Sequence, residues 1–146
     1  MKLVIQRVSQ ASVTVDNAIV GQIEEGYMVL LGIHKDDTLA LCDKAIRKLL
    51  NLRLFSDDDG KMNKSIQDVD GSILLVSQFT LYGDCRKGNR PSFIEAMSPQ
   101  EAEPFYDDFC KQLKQAYTKV EFGNFGADMQ VALINSGPVT ITYDLS

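Results

Sequence analysis

β-Branched and aliphatic residues crowd positions 3–8 and 11–15, and Asp16-Asn17 supplies a turn before the similar run 18–23. This spacing predicts strands with a hairpin. After Gly26, positions 27–33 form a nearly continuous apolar run of the kind found in a strand buried on both faces. From Asp37 the period changes: Leu39, Cys42, Ile46 and Leu49 recur every three or four residues, with Asp43, Lys44, Arg47 and Lys48 on the other side. That pattern predicts an amphipathic helix capped by Asp36 or Asp37, with basic residues toward the C-terminus where they suit the helix dipole.

Positions 53–56 read as another strand, and Asp57-Asp58-Asp59-Gly60 as a solvated hairpin turn. A calcium loop fails there, because with Gly60 at the sixth loop position Phe55 stands where the first acidic ligand belongs. Asp70-Gly71 turns the chain into a strand over 73–80, and the polar segment 83–92, with Gly88-Asn89 and Pro91, excludes regular structure. Ser98-Pro99-Gln100-Glu101 is a capping box with proline at the first helical position. Ala102, Phe105, Phe109, Leu113 and Ala116 then make one apolar face, core rather than a base-stacking platform.

The last strands are expected at 120–122, 129–135 and 139–143, and alternation along the second of them puts Met129 and Asn135 on one side of the sheet. Many strands with only two substantial helices predict a single α+β or mixed α/β domain over 1–146. Its frame is a largely antiparallel, twisted, barrel-like sheet covered by the two main helices.

Composition removes several function classes. A hydrophobic fraction of 45% with 24% charged residues is ordinary for a soluble globular chain. No apolar run approaches the ~20 residues of a membrane span, and the N-terminus lacks the pattern of a signal peptide. A soluble, cytoplasmic protein without a membrane partner is the expectation. Cys42, Cys85 and Cys110 are odd in number and far apart, so neither a disulfide framework nor a paired-cysteine metal site is suggested. All three are read as structural. His34, the only histidine, follows an apolar run and has no second imidazole with which to build a metal site. Neither a metal nor a cofactor is called for. The net charge of −5 argues against a nonspecific nucleic-acid binder but does not exclude RNA, since the local clusters Lys44, Arg47, Lys48 and Arg86, Lys87, Arg90 can still meet a phosphate backbone.

Two polar stretches remain. Ser77-Gln78-Phe79-Thr80 ends an apolar strand and offers hydroxyls, an amide and backbone N–H groups at its mouth. Asn135-Ser136-Gly137-Pro138-Val139-Thr140 closes an alternating run with a Gly-Pro pair, a backbone shape few residue pairs adopt. Together they resemble the two signature motifs of the D-aminoacyl-tRNA deacylases. The N-terminal residues 1–12, the continuation Leu81-Tyr82-Gly83-Asp84, and Phe125-Gly126-Ala127-Asp128-Met129 resemble that family in the same order, so the likeness runs the full chain.

The resemblance implies hydrolysis of the ester that joins a D-amino acid, or glycine, to the terminal ribose of tRNA. It implies a homodimer in which the Gly137-Pro138 turn, its peptide bond cis, enters the other subunit's pocket and excludes L-amino acids. Ser77, Gln78, Phe79 and Thr80 would form the catalytic strand end; Gly137, Pro138, Asn135, Met129 and Phe125 would receive the substrate. Arg86, Lys87 and Arg90 are the candidate tRNA contacts, in a basic loop leaving that strand. Thr80 is the obvious nucleophile candidate, but no base stands near it in sequence, so backbone N–H groups around Phe79 and Thr80 are the preferred oxyanion site. Two other readings stay open on the residues alone: a noncatalytic RNA- or nucleotide-binding module, and a Thr80-dependent esterase of small acyl esters.

Overall fold

A computed structural model describes Met1–Ser146. The chain runs β1 (Lys2–Val15), β2 (Ala18–Ile23), β3 (Gly26–Gly32), α1 (Ala40–Asn51), β4 (Phe55–Ser56), β5 (Met62–Lys64) and β6 (Ser72–Ser77). A 3₁₀ turn (Phe79–Tyr82), α2 (Pro99–Ala116), β7 (Val120–Phe122) and β8 (Gln130–Asp144) complete it. No helix is long and apolar enough to cross a membrane.

The two N-terminal apolar runs are one strand. β1 bends, pairing antiparallel with β3 through its first half and with β2 through its second, while β8 lies antiparallel along it. Asp16 and Asn17, both at positive φ, make the tight turn between β1 and β2. β3–β6 and β6–β7 pair in parallel, so the sheet is mixed. It nearly closes into a barrel because β2 comes back onto β7: a Cβ on Gly21 would lie 2.8 Å from the Phe122 carbonyl oxygen. Inside, Val8, Ala11, Val13, Ile23, Met28, Leu74 and Val76 form a small core of their own.

Both helices cover the other face of the sheet. α1 buries Cys42, Ala45, Ile46, Leu49 and Leu50, and α2 buries Ala102, Phe105, Tyr106, Phe109 and Leu113 against Leu3, Ile5, Leu31, Ile73 and Leu75. Each fully buried side chain of this size contributes about 1.5–3 kcal/mol. Burial pushes the thiol of Cys42 up to about 11 and that of Cys110 up to about 12, the condition of packed, unreactive cysteines.

Several local expectations change. Leu39 is half exposed and Ala116 exposed, so each apolar stripe is shorter than its periodicity suggested. Asp37 does not cap α1; its carboxylate receives the His34 amide and the Met1 ammonium, and the helix starts at Ala40 without a side-chain cap. Ser98 donates its hydroxyl to the Glu101 carboxylate, while its carbonyl accepts the Glu101 and Ala102 amides. The strand expected through Thr80 stops at Ser77, where Gln78 swings into the 3₁₀ turn. The largest change is at the C-terminus. The predicted strands 129–135 and 139–143 are one strand, and Gly137-Pro138 is no turn between them but part of a bulge: Asn135 pairs with Val8 and Thr140 with Gln6, leaving the intervening β8 residues outside the ladder.

Candidate active site

The end of β6 opens into a cavity of about 520 Å³. Leu31 at the end of β3 and Ile33 just after it, Val76 to Phe79 from β6 and its turn, Met129 just before β8 and Val131 within it form its inner walls. The outer wall is the segment leading into α2, held against β3 by two backbone bonds: Lys35 N–H to Glu95 O at 3.0 Å and Met97 N–H to Ile33 O at 2.9 Å. Phe93 stands edge-on to Phe79, ring centres 5.1 Å apart. On the far side Phe125 packs on Tyr106, whose hydroxyl donates to the Leu75 carbonyl at 3.2 Å, so a core residue of α2 positions the loop that closes the cavity.

The lining is chiefly apolar, with Ser77, Gln78 and Ser98 as its polar side chains, and no titratable side chain is among them. A general acid or base would have to come from elsewhere. What the chain offers at this mouth is backbone. Gln78 donates its N–H to the Leu31 carbonyl at 2.8 Å and accepts from Leu81, whereas the N–H groups of Phe79 and Thr80 donate to no other backbone carbonyl. Being the first amides of a helical turn, they have no partner within it. Gln78 Nε2 donates to the Thr80 hydroxyl at 2.6 Å, linking two polar side chains of the motif. Thr80 itself is exposed and lies outside the cavity lining.

The second motif is built differently. Asn135 staples the bulge, accepting the Val139 N–H on Oδ1 at 2.9 Å and donating from Nδ2 to the Thr140 hydroxyl at 2.9 Å. Arg7 braces it from β1: Nε donates to the Ser136 carbonyl at 2.9 Å and an Nη donates to the Leu54 carbonyl at 2.7 Å. The Gly137-Pro138 peptide bond is cis, and Gly137 has φ +132°. A Cβ there would lie 2.8 Å from an Arg7 guanidinium nitrogen. Gly137 and Pro138 are both exposed.

The structure thus gathers Ser77, Gln78, Phe79, Phe125 and Met129 around one cavity and leaves Asn135, Gly137 and Pro138 outside it. Met129 and Asn135 do not share a site within one chain. Of the loop cations, Lys87 and Arg90 are free in solvent, but Arg86 grips Asp84 with two nitrogens at 2.9 and 2.7 Å. That hydrogen bonding holds the Asp84 carboxyl down at about 2, so the pair stays ionised and the Arg86 charge stays compensated. His34 is likewise taken up, Nε2 lying 3.0 Å from the Glu95 carboxylate. Two contributors were missed in the sequence reading, Phe93 and Arg7. Arg7 had left a trace: it is in phase with the buried Leu3 and Ile5, a charge on the inward side of an apolar strand.

Residues 4–144 match the family model described as D-Tyr-tRNA(Tyr) deacylase. A curated D-aminoacyl-tRNA deacylase of Clostridium novyi (strain NT) is 51% identical over 144 residues, covering 99% of this chain and 97% of the relative. Among solved structures, the c-Myc DNA Unwinding Element Binding Protein superposes with a TM-score of 0.95 at 46% identity, covering 100% of this chain and 99% of the other. A probable eukaryotic D-amino acid tRNA deacylase superposes with a TM-score of 0.86 at 20% identity, covering 99% and 98%.

Proposed function

The chain belongs to the D-Tyr-tRNA(Tyr) deacylase family and is a hydrolase of aminoacyl-tRNA esters, and from this premise we propose that it proofreads tRNA by rejecting L-amino acids through backbone alone. It acts in the cytoplasm on D-aminoacyl-tRNA, and on glycine mischarged to a non-cognate tRNA, releasing free amino acid and tRNA.

The terminal adenosine enters the cavity between Phe125, Met129 and the β6 end, with Ser77 and Gln78 at its mouth. The ester carbonyl faces the N–H groups of Phe79 and Thr80. Water attacks the carbonyl carbon, the oxyanion of the tetrahedral intermediate takes those two bonds, and the carbon–oxygen bond to the ribose breaks as the ribose oxygen is reprotonated. A well-placed oxyanion donor is worth roughly 10²–10³ in rate. The neighbouring ribose hydroxyl assists the water, since the cavity brings no titratable side chain. Thr80 supports Gln78 and is not acylated. Lys87 and Arg90 meet tRNA phosphates, with Arg86 contributing less because Asp84 compensates it.

The chain is a homodimer in this reading, each bulge entering the other subunit's cavity. The observation that carries it is a mismatch: a rigidly braced, exposed backbone bulge lies outside the lining of its own chain's active-site cavity, while that cavity has a free apolar rim. Phe79 is more than half exposed, Phe93 and Val131 are more than a third exposed, and the outer edge of β8 pairs with no strand. Exposed apolar rims and long free edges are what association covers. Carbonyls of the bulge hold the α-ammonium group, and with the amine fixed an L side chain meets backbone while a D side chain points outward. Size of the D side chain then matters little, and glycine enters because it has none.

The test is hydrolysis of D-tyrosyl-, L-tyrosyl- and glycyl-tRNA by one preparation whose mass in solution is measured by light scattering. A dimer that cleaves the D and glycyl esters and spares the L ester is expected. Comparable cleavage of both enantiomers, or full activity in a monomer, would reject the gate.

A further inference from the structure

Away from the cavity, α1 carries a groove of about 550 Å³ whose lining includes Asp43, Lys44, Arg47, Lys48, Arg53 and Tyr143. Most of its cations are unpaired. Lys35, Arg86 and Lys119 each lie within 2.9 Å of a carboxylate. In the groove only Arg47 is so paired, with Asp43 at 2.6 Å; Lys44, Lys48 and Arg53 form no salt bridge. The Lys48 ammonium lies 5.2 Å from the centre of the Tyr143 ring, and Arg53 donates only to the neutral Asn63 amide oxygen at 3.1 Å. Three uncompensated cations in one concave strip, on a chain of net charge −5, make a local positive field that the whole-chain charge conceals.

The groove also has a defined place relative to the bulge. Arg53 is followed by Leu54, whose carbonyl is bound by the same Arg7 guanidinium that holds the Ser136 carbonyl. One end of the basic strip therefore abuts the base of the Gly137-Pro138 projection. Lys44 and Lys48, one helical turn apart, have Cβ atoms about 5–6 Å from each other and continue the strip along the exposed face of α1. An open strip of long cations, without converging donors, suits a phosphodiester backbone better than a single small anion.

We propose that this groove grips the backbone of the tRNA acceptor arm whose terminal ester is bound in the partner subunit's cavity. This rests on the dimeric reading above: where a bulge completes the other subunit's cavity, the strip beside that bulge meets the RNA leaving that cavity. Each tRNA is then divided between subunits, the ester and the phosphates near Lys87 and Arg90 held by one and the acceptor-arm phosphates in the groove by the other.

Neutralising the strip with Lys44→Gln, Lys48→Gln and Arg53→Gln together tests this, all three side chains being exposed. Binding of uncharged tRNA, measured across a salt series, needs no catalysis. The slope of log Kd against log salt should fall by about 2–3, at roughly 0.7–0.9 for each lost phosphate contact. KM for D-tyrosyl-tRNA should rise at least about tenfold with kcat unchanged, while hydrolysis of D-tyrosyl adenosine should equal that of the parent. An unchanged salt slope overturns the proposal, whereas failure of the parent to cleave either ester overturns the deacylase mechanism and leaves the binding result standing. Subunit assignment comes from mixed dimers that pair the neutralised chain with one whose cavity is filled by Ala127→Trp. A KM near the parent value is expected, since the open cavity is served by its partner's intact groove. A raised KM would overturn the crossed arrangement.

Discussion

The two motifs that end apolar strands differ in what holds them. Around Ser77-Gln78-Phe79-Thr80 the geometry is set by a strand end and a one-turn helix, and the polar side chains mainly bond one another at an exposed mouth. Around Asn135 to Thr140 almost every polar group is used to fix the backbone: Asn135 bonds both sides of the bulge, and Arg7 reaches across from β1. The first region is a hollow with adjustable edges; the second is a projection that cannot yield. The proposed gate combines the two, because a hollow admits either enantiomer until something rigid occupies part of it. The difference says where substitution should hurt most.

The largest loss is expected from Gly137→Ala. A Cβ at φ +132° is strained and collides with the Arg7 guanidinium, at a cost of about 1–3 kcal/mol. If that strain displaces the bulge, kcat/KM for D-tyrosyl-tRNA falls roughly ten- to a hundredfold while the melting temperature drops only a few degrees. Next comes Arg7→Met, which keeps the aliphatic stem and abandons the Ser136 and Leu54 carbonyls. Each charge-assisted bond is worth about 1.5–3 kcal/mol, so both activity and stability should fall, and under the proposed gate L-tyrosyl-tRNA should begin to be cleaved as the bulge loosens. A chiral assay beside a thermal melt separates the two effects. The smallest effect is expected from Thr80→Ala, which removes one exposed acceptor for Gln78. About tenfold or less in kcat follows from a bond worth about 0.5–1.5 kcal/mol, and mass spectrometry of the parent during turnover should find no acyl-enzyme. If Thr80→Ala were more damaging than Gly137→Ala, or an ester were trapped on Thr80, the contrast between hollow and projection would be wrong.

Even the loop after the first motif bears on this contrast. Arg86, Lys87 and Arg90 read alike along the chain, but only in three dimensions does Asp84 take Arg86. Two residues of separation permit that pair without requiring it. The α1 cations were legible as a helical face in the same way, while their lack of carboxylate partners, and their place beside the bulge, were not.

From its order of residues the chain determined the helices, the hairpin at Asp16-Asn17, the burial of Cys42 and the chemistry on offer at both motifs. These depend on periodicity, turn residues and side-chain type, which are local. Tertiary structure alone decided that residues 2–15 and 130–144 are single strands, because a strand continues through a polar interruption when its neighbour supplies the missing hydrogen bonds. Pairing with β1 did so here, turning an expected Gly-Pro turn into a bulge in mid-strand. It also decided that Arg7 serves that bulge: a guanidinium on β1 finds two carbonyls 47 and 129 residues away, contacts that no pattern along the chain encodes because they exist only once the sheet has closed.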